Sequence, residues 1–368
     1  MSHAEQPLRA FVRAWLAEVE QLEYSHLRQL QEPPYASLPF GAAGIAYALL
    51  RAGLALGDGR LLERGDRWAA AAASHARARS ALLRSELDPV TVRGSLVYGI
   101  DGILLVLTLL AAARNDVAAC RARVAAFVRS VRRAPARPSE LLFGSAGHLL
   151  ATLTLLKATG DARLADLARE HGRKLAAPEA GRDRPVWTRS PDVSFAHGRA
   201  GVVFALLRLR RALGVALPPW FGAELERLTQ APPHARNLSE RGATLPQSWC
   251  NGAAGTTLLW AAAHEDERHP RFLRLARASL RRCLRAPGAA GGDLCCGLTG
   301  RAYAALAMCR VAPGRAPRQH AHALALAAIE QMRGAWPNGL FKGYPGLVCL
   351  ALDLAYEREP RGFPLIEG

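Results

Sequence analysis

The chain has 368 residues, half of them hydrophobic, which is long enough to bury a large core. It carries 48 lysines and arginines against 31 acidic residues, a net charge of +17 that arginine dominates. No basic run is interleaved with aromatic residues, which argues against a nucleic-acid-binding protein. The charge therefore indicates either arginines spread over solvated helix faces or attraction to an acidic partner, such as an acidic peptide.

The first twenty residues are charged throughout and lack the apolar core of a signal peptide. The most apolar stretches, such as residues 102–113, are too short or too often interrupted by glycine to span a bilayer. The chain has seven cysteines, an odd number that favours reduced thiols over a disulfide framework. We therefore expect a cytoplasmic protein without a membrane span.

A Gly-x-x-Gly turn occurs seven times, at intervals of 45 to 58 residues. The turns are Gly41–Gly44, Gly99–Gly102, Gly144–Gly147, Gly198–Gly201, Gly252–Gly255, Gly297–Gly300 and Gly343–Gly346. An apolar run follows each turn, as at residues 45–56 and 103–113, and predicts a buried helix. A more polar, amphipathic run comes next, as at 119–133 and 163–175, and predicts an outer helix. No sustained alternation of period two occurs, so the sequence predicts an all-α protein.

Two-helix units of this size must stack to bury their apolar faces. An open solenoid would leave the apolar inner helices on an exposed concave face, so we predict a closed α/α toroid of seven two-helix repeats. The repeats start near residues 38, 96, 141, 195, 249, 294 and 340. Helices in residues 1–37 precede them, and residues 1–368 form one domain. Residues at the glycine turns then point into one central cavity.

Three cysteines lie at two neighbouring turns, Cys250 at the fifth and the pair Cys295-Cys296 at the sixth. They could be small buried hydrophobes, and the adjacent pair could form a redox disulfide. Consecutive residues in a glycine turn cannot both face one core, however, and zinc prefers thiolate ligands. We therefore predict one zinc per chain, with three protein ligands and one open position. The other cysteines lie within apolar helical patterns and are interpreted as core: Cys120, Cys283, Cys309 and Cys349.

Three motifs resemble those of the lanthionine synthetase C-like cyclases. Residues 249–255, WCNGAAG, resemble the family's Trp-Cys-x-Gly-x-x-Gly signature. Residues 294–300, LCCGLTG, resemble the motif of its Cys-Cys-Gly branch, and residues 196–201, AHGRAG, resemble its Ala-His-Gly-x-x-Gly element. The motifs occur in the family's order, and the resemblance extends from residue 38 to residue 354.

The resemblance implies a zinc enzyme that joins cysteine thiols to dehydroalanine or dehydrobutyrine, closing thioether rings in a ribosomal precursor peptide. Cys250, Cys295 and Cys296 would bind the zinc. His197 would be catalytic, since a histidine that titrates near neutral pH can take up or deliver the protons of the addition. The partner would be a dehydrated precursor peptide, prepared by a separate dehydratase or kinase/lyase enzyme for which this chain has no room.

Other positions carry over less directly. Glu140 lies four residues before the third turn, where many members have aspartate, and could orient the catalytic histidine or be a solvated carboxylate. Asn251 stands where many members have tyrosine or histidine, and could hydrogen-bond the substrate backbone. Arg199, Arg301 and Lys342 lie beside turns and are candidate substrate-binding residues, or else solvated cations.

Two other functions compete with the cyclase. The protein could add glutathione or another free thiol to dehydrated residues, or it could be a non-catalytic, zinc-stabilised module that binds a leader peptide or a partner. A structural zinc would be closed by four ligands, so three thiols accompanied by His197 favour the enzyme. His148, which has no such company, is interpreted as structural.

Overall fold

The computed structural model describes residues 5–30, 34–82, 92, 95–133, 137–230, 247–285, 291–332, 338–357 and 359–366. Within these ranges the regular structure is entirely helical, which confirms the all-α prediction. One inner helix begins at each glycine turn: α3 (Ala42–Leu56), α6 (Ile100–Ala113), α8 (Ser145–Thr159), α10 (Arg199–Leu213), α12 (Ala253–Glu267), α14 (Leu298–Val311) and α16 (Tyr344–Ala355). The helices that follow them are α4 (Gly59–His75), α7 (Val117–Arg133), α9 (Ala162–Ala176), α11 (Trp220–Gln230), α13 (Pro270–Arg285) and α15 (Arg315–Gln331).

The inner helices form a closed ring, and the other helices surround it. Each inner helix packs against the inner helix before it and the one after it, and α16 packs against α3. The inner helices are buried nearly all round, as in α3, where every residue from Ala42 to Gly53 is buried. An outer helix such as α9 is amphipathic and buries one stripe. The predicted α/α toroid is confirmed.

The first helix of the chain completes the outer layer. Helix α1 (Gln6–Gln21) packs against α16, the last inner helix. It buries Leu8, Val12, Trp15 and Val19, which are spaced on one helical face. Helix α1 thus takes the outer position beside the seventh inner helix, and the separation of residues 1–37 from the repeats stays a prediction. Two short helices, α2 (Tyr24–Leu30) and α5 (Arg79–Leu82), complete the described helices with a 3₁₀ turn at Val186–Arg189.

The assignment of residues 1–368 to one domain stays a prediction, because parts of that range lie outside the described residues. None of the described helices combines the length and the apolar composition needed to cross a membrane.

Backbone hydrogen bonds join neighbouring glycine turns at one end of the toroid. In each bond a backbone amide of one turn donates to a backbone carbonyl of the next: Leu38 to Val97, Leu141 to Ala196, Phe195 to Cys250, Trp249 to Cys295, Cys295 to Phe341 and Leu340 to Leu38. The last of these bonds, 2.9 Å long, links the seventh turn to the first. Among the described residues, these bonds join six of the seven neighbouring pairs of turns, and they fix the relative positions of the residues on those turns.

The second glycine of each turn is required by the close approach of a carbonyl group. In every turn a Cβ atom at that position would lie 2.0 to 2.5 Å from the carbonyl oxygen of the residue six positions earlier. Backbone oxygens cannot retreat as a flexible side chain could. The second glycine of the Gly-x-x-Gly motif is therefore needed because each inner helix begins close against the segment that leads into its own turn.

We expect Gly201→Ala to lower the free energy of unfolding by about 1–3 kcal/mol, because its methyl group would lie 2.0 Å from the carbonyl oxygen of Phe195. Gly222→Ala is the matched control, since a Cβ on this helical glycine of α11 meets no atom within 4 Å. Alanine there is neutral or stabilises by up to ~1 kcal/mol. Thermal and denaturant unfolding measure both variants, and equal stability of the two would contradict the steric explanation.

Candidate metal centre

Two neighbouring turns bring three thiols together at the turn end of the ring. The Sγ atoms of Cys250 and Cys296 lie 3.7 Å apart, and those of Cys295 and Cys296 lie 3.5 Å apart. All three sulfur atoms are within 4.8 Å of one another. Each cysteine is a free thiol, so the vicinal disulfide considered for Cys295-Cys296 is not formed.

The spacing of the thiols fits a zinc ion. Sulfur atoms bound to one tetrahedral zinc at about 2.3 Å lie about 3.8 Å from one another. The distances of 3.5 and 3.7 Å are close to that value without any rearrangement of the turns. Among the described residues the group contains three ligands, which leaves one tetrahedral position for another molecule.

A lysine and an aspartate border the thiols. Lys342 Nζ lies 3.1 Å from Cys296 Sγ and 3.4 Å from Asp293 Oδ1. Hydrogen bonds from Cys250 and Cys295 lower the pKa of the Cys296 thiol, and the ammonium group of Lys342 acts in the same direction. Hydrogen bonds to its two neighbours, together with burial, raise the pKa of Cys295. The cluster thus favours negative charge on Cys296, where the cation is closest.

His197 lies at the preceding turn and is paired with Glu140. Its Nδ1 atom is 3.1 Å from Glu140 Oε2, and its side chain is 37% exposed. Glu140 also accepts hydrogen bonds from the backbone amides of Leu142, at 3.1 Å, and Phe143. Burial lowers the pKa of His197, but the hydrogen bond and charge of Glu140 outweigh it and raise the pKa above the usual value. With Nδ1 directed at the carboxylate, Nε2 lies on the side of the ring away from Glu140.

The position four residues before the first glycine anchors its turn. In four turns its side chain accepts a hydrogen bond from the amide three residues later: Ser95 from Tyr98 (3.0 Å), Ser194 from His197 (3.2 Å), Ser248 from Asn251 (3.1 Å) and Asp293 from Cys296 (2.8 Å). Glu140 makes the same bond to Phe143. Asp293 was not among the predicted site residues, although an alignment of the repeats places it at the position of Glu140.

The residue just before the first glycine of each turn lies at the rim of the ring. We call these the rim residues: Phe40, Tyr98, Phe143, His197, Asn251, Cys296 and Lys342. None of the seven is buried. Four of the predicted site residues, His197, Asn251, Cys296 and Lys342, thereby lie in the same layer of the structure. Asn251 also lines a cavity of about 230 Å³ that extends between α12 and α13.

Two predicted substrate-binding residues point elsewhere. Arg199 donates to Glu224 of the outer helix α11 at 2.6 Å, and the Glu224 side chain is fully buried. Arg301 is buried within α14 and interacts electrostatically with Cys283 of the outer helix α13. The structure does not bring these arginines together with the thiols, so their role in substrate binding stays a prediction.

His148 is buried between two acceptors, with Nδ1 3.0 Å from the Gly144 carbonyl and Nε2 2.9 Å from Asp101 Oδ2. This placement supports its interpretation as a structural residue.

The chain is similar to a known protein family and to solved structures. A family model described as lanthionine synthetase C-like protein matches residues 34–367. Among solved structures, nisin cyclase superposes with a TM-score of 0.67 and 15% sequence identity, over 96% of this chain and 94% of that chain. At this identity the structural match establishes the fold alone, whereas the family match spans all seven turns and the thiol cluster.

Proposed function

The chain belongs to the lanthionine synthetase C-like family, and from that membership we propose that it is a zinc-dependent lanthipeptide cyclase. Its substrate is a ribosomal precursor peptide that contains dehydroalanine or dehydrobutyrine, and its product is a lanthionine or methyllanthionine thioether ring. The observation that carries the proposal is the set of three thiols at zinc-ligand spacing, one turn away from the His197–Glu140 pair.

Cys250, Cys295 and Cys296 would hold the zinc. When bound, zinc supplies the open position for the substrate cysteine and keeps its sulfur deprotonated at neutral pH. Lys342, 3.1 Å from Cys296 Sγ, offsets the negative charge that three thiolates and a substrate sulfur bring together.

His197 supplies the proton that completes the addition. The sulfur–carbon bond forms at Cβ of the dehydrated residue, and the electrons of the alkene move to Cα and its carbonyl as an enolate. His197 delivers a proton to Cα, and the proton lost from the substrate thiol balances it. Glu140 fixes the imidazole orientation and favours the protonated ring, and two backbone amides hold the carboxylate itself in place.

A synthetic peptide with one cysteine and one dehydroalanine tests the proposal. Cyclisation leaves the mass unchanged and removes the free thiol, so alkylation with iodoacetamide followed by mass spectrometry measures the product. We expect the zinc-loaded protein to consume the thiol faster than the protein-free reaction. A rate equal to the protein-free rate would contradict the proposal.

Glutathione in the same assay separates the proposal from its main alternative. A protein that adds free thiols to dehydrated residues would increase the peptide mass by one glutathione, whereas a cyclase forms the intramolecular ring in its presence. A module that only binds would do neither.

The partners follow from the substrate. We propose that a separate dehydratase or kinase/lyase enzyme prepares the peptide and that the reaction takes place in the cytoplasm, where thiols remain reduced.

Removing the charge of Glu140 should move the pH dependence of ring closure. Glu140 raises the pKa of His197, so the protonated ring persists to higher pH in the native protein. In Glu140→Gln the pKa falls, and we expect the decline of rate with rising pH to begin at lower pH. Glu170→Gln, which alters a surface carboxylate paired with Lys174, is the control. Superimposable pH–rate profiles for native protein and Glu140→Gln would exclude a proton-donating role for His197.

A further inference from the structure

Three aromatic rings stand side by side at the rim and lead to His197. The ring centroids of Phe40 and Tyr98 are 6.0 Å apart, and those of Tyr98 and Phe143 are 5.3 Å apart and nearly parallel. Phe143 in turn stacks on the His197 imidazole at 5.8 Å. We call Phe40, Tyr98 and Phe143 the aromatic wall.

The aromatic wall lies at the edge of the hydrophobic core, against which Tyr98 packs. Each of its three residues is only partly buried, at a position where the chain enters a glycine turn. The core aromatics of this end of the ring, by contrast, are hidden, as where Trp249 stacks on Phe363 at 4.6 Å with both side chains at most 1% exposed. The three rings of the aromatic wall thus keep part of their surface accessible to a ligand.

The position of the aromatic wall relates it to the reaction. Going round the ring of turns, the first three contribute the aromatic wall, the fourth His197, the fifth and sixth the thiols, and the seventh Lys342. A peptide whose dehydrated residue lies between His197 and the thiols can continue past His197 toward Phe143, whose ring stacks on the imidazole. The aromatic wall and the thiols thus flank the histidine on opposite sides.

We propose that the aromatic wall binds an extended segment of the substrate peptide through aromatic side chains at alternate positions beside the dehydrated residue. Side chains on one face of an extended chain repeat at about 6.6 Å, comparable with the 5.3 to 6.0 Å between the rings. Offset or edge-to-face pairing of aromatic rings adds attraction beyond burial alone. The inference rests on the proposed cyclase and names the class of peptide that it selects.

Binding is tested with peptides that cannot react. Three fluorescently labelled hexapeptides without cysteine or dehydroalanine, Gly-Phe-Ser-Phe-Ser-Gly and its versions with leucine or serine in place of phenylalanine, are titrated with protein and followed by fluorescence anisotropy. We expect the phenylalanine peptide to bind most tightly. Phe143→Leu and Tyr98→Leu should each weaken it by about 2- to 12-fold while leaving the serine peptide unchanged.

Tyr24→Leu is the matched control, because Tyr24 is also a partly buried ring stacked on a histidine, His75, at 4.4 Å, but lies on the outer layer. It should bind all three peptides as the native protein does. Equal binding of the three peptides by native protein, or an unchanged preference in both wall variants, would overturn the inference. If the protein prefers the phenylalanine peptide but does not cyclise the reactive peptide, binding at the aromatic wall is supported and the cyclase function is refuted. If it cyclises the reactive peptide but shows no preference, the cyclase function is supported and binding at the aromatic wall is refuted.

Discussion

Cys250→Ala is expected to lose its zinc and its cyclisation activity while keeping its fold. Removing one of three thiolates leaves two ligands, Cys295 and Cys296, which belong to the same turn and cannot enclose an ion from opposite sides. Substitutions outside the coordination shell commonly weaken metal binding by ~10–100-fold, and loss of a ligand should exceed that. The fold should survive because the toroid is held by its buried inner helices and by the hydrogen bonds between turns.

Metal analysis of purified protein measures the effect, with circular dichroism to monitor the fold. Cys120→Ala is the control, since this half-buried thiol lies on the outer helix α7, outside the cluster. We expect one zinc per chain in native protein and in Cys120→Ala, and a large deficit in Cys250→Ala. Full zinc occupancy in Cys250→Ala would refute the ligand assignment.

His197→Asn is expected to keep zinc and fold but to close rings ~10²–10⁴-fold more slowly, the usual cost of losing general acid–base catalysis. Asparagine can still accept or donate a hydrogen bond near Glu140, but it does not titrate. The decrease in rate in His197→Asn therefore measures the contribution of proton transfer, because the hydrogen bond that positions the Glu140 carboxylate can still form. His264→Asn, at the exposed end of α12, controls for general effects of removing a histidine.

Single-turnover rates with a zinc-loaded enzyme give the cleanest comparison, because slow product release does not then hide the chemical step. The protein-free rate is subtracted, since thiols add to dehydroalanine unaided. A rate in His197→Asn within about threefold of the native rate would return His197 to a structural role.

The architecture could be predicted from the sequence because its cause is local. Each second glycine is forced by a carbonyl group six residues earlier, so the repeat is visible without knowledge of the tertiary structure. The thiols could likewise be assigned together, because neighbouring repeats of a ring place equivalent positions side by side. The packing of α1 against α16 could not be predicted, because no local sequence feature links the first helix of the chain with the last repeat.

The direction of each side chain explains why the candidate substrate-binding residues lie in different parts of the structure. Lys342 precedes its first glycine, as do His197 and Cys296, and such residues lie on the rim. Arg199 follows the first glycine and Arg301 the second, so both already belong to a helix whose rotation turns them toward the outer layer. Position relative to the first glycine therefore separates the residues on the rim from those that face the outer layer, which nearness to a turn in sequence does not. The aromatic wall becomes visible only when the seven rim positions are aligned.

Closure of the ring determines where the protein can begin to unfold. An open array of repeats frays from its terminal units, whose amides exchange with solvent fastest. Here the seventh turn is bonded to the first through Leu340 and Leu38, and a buried ion pair between Arg51 and Asp353, at 2.6 Å, joins α3 to α16. No repeat is terminal, so hydrogen exchange of the inner helices should be similarly slow all the way round, and the first opening of the ring should expose both sides of the break at once.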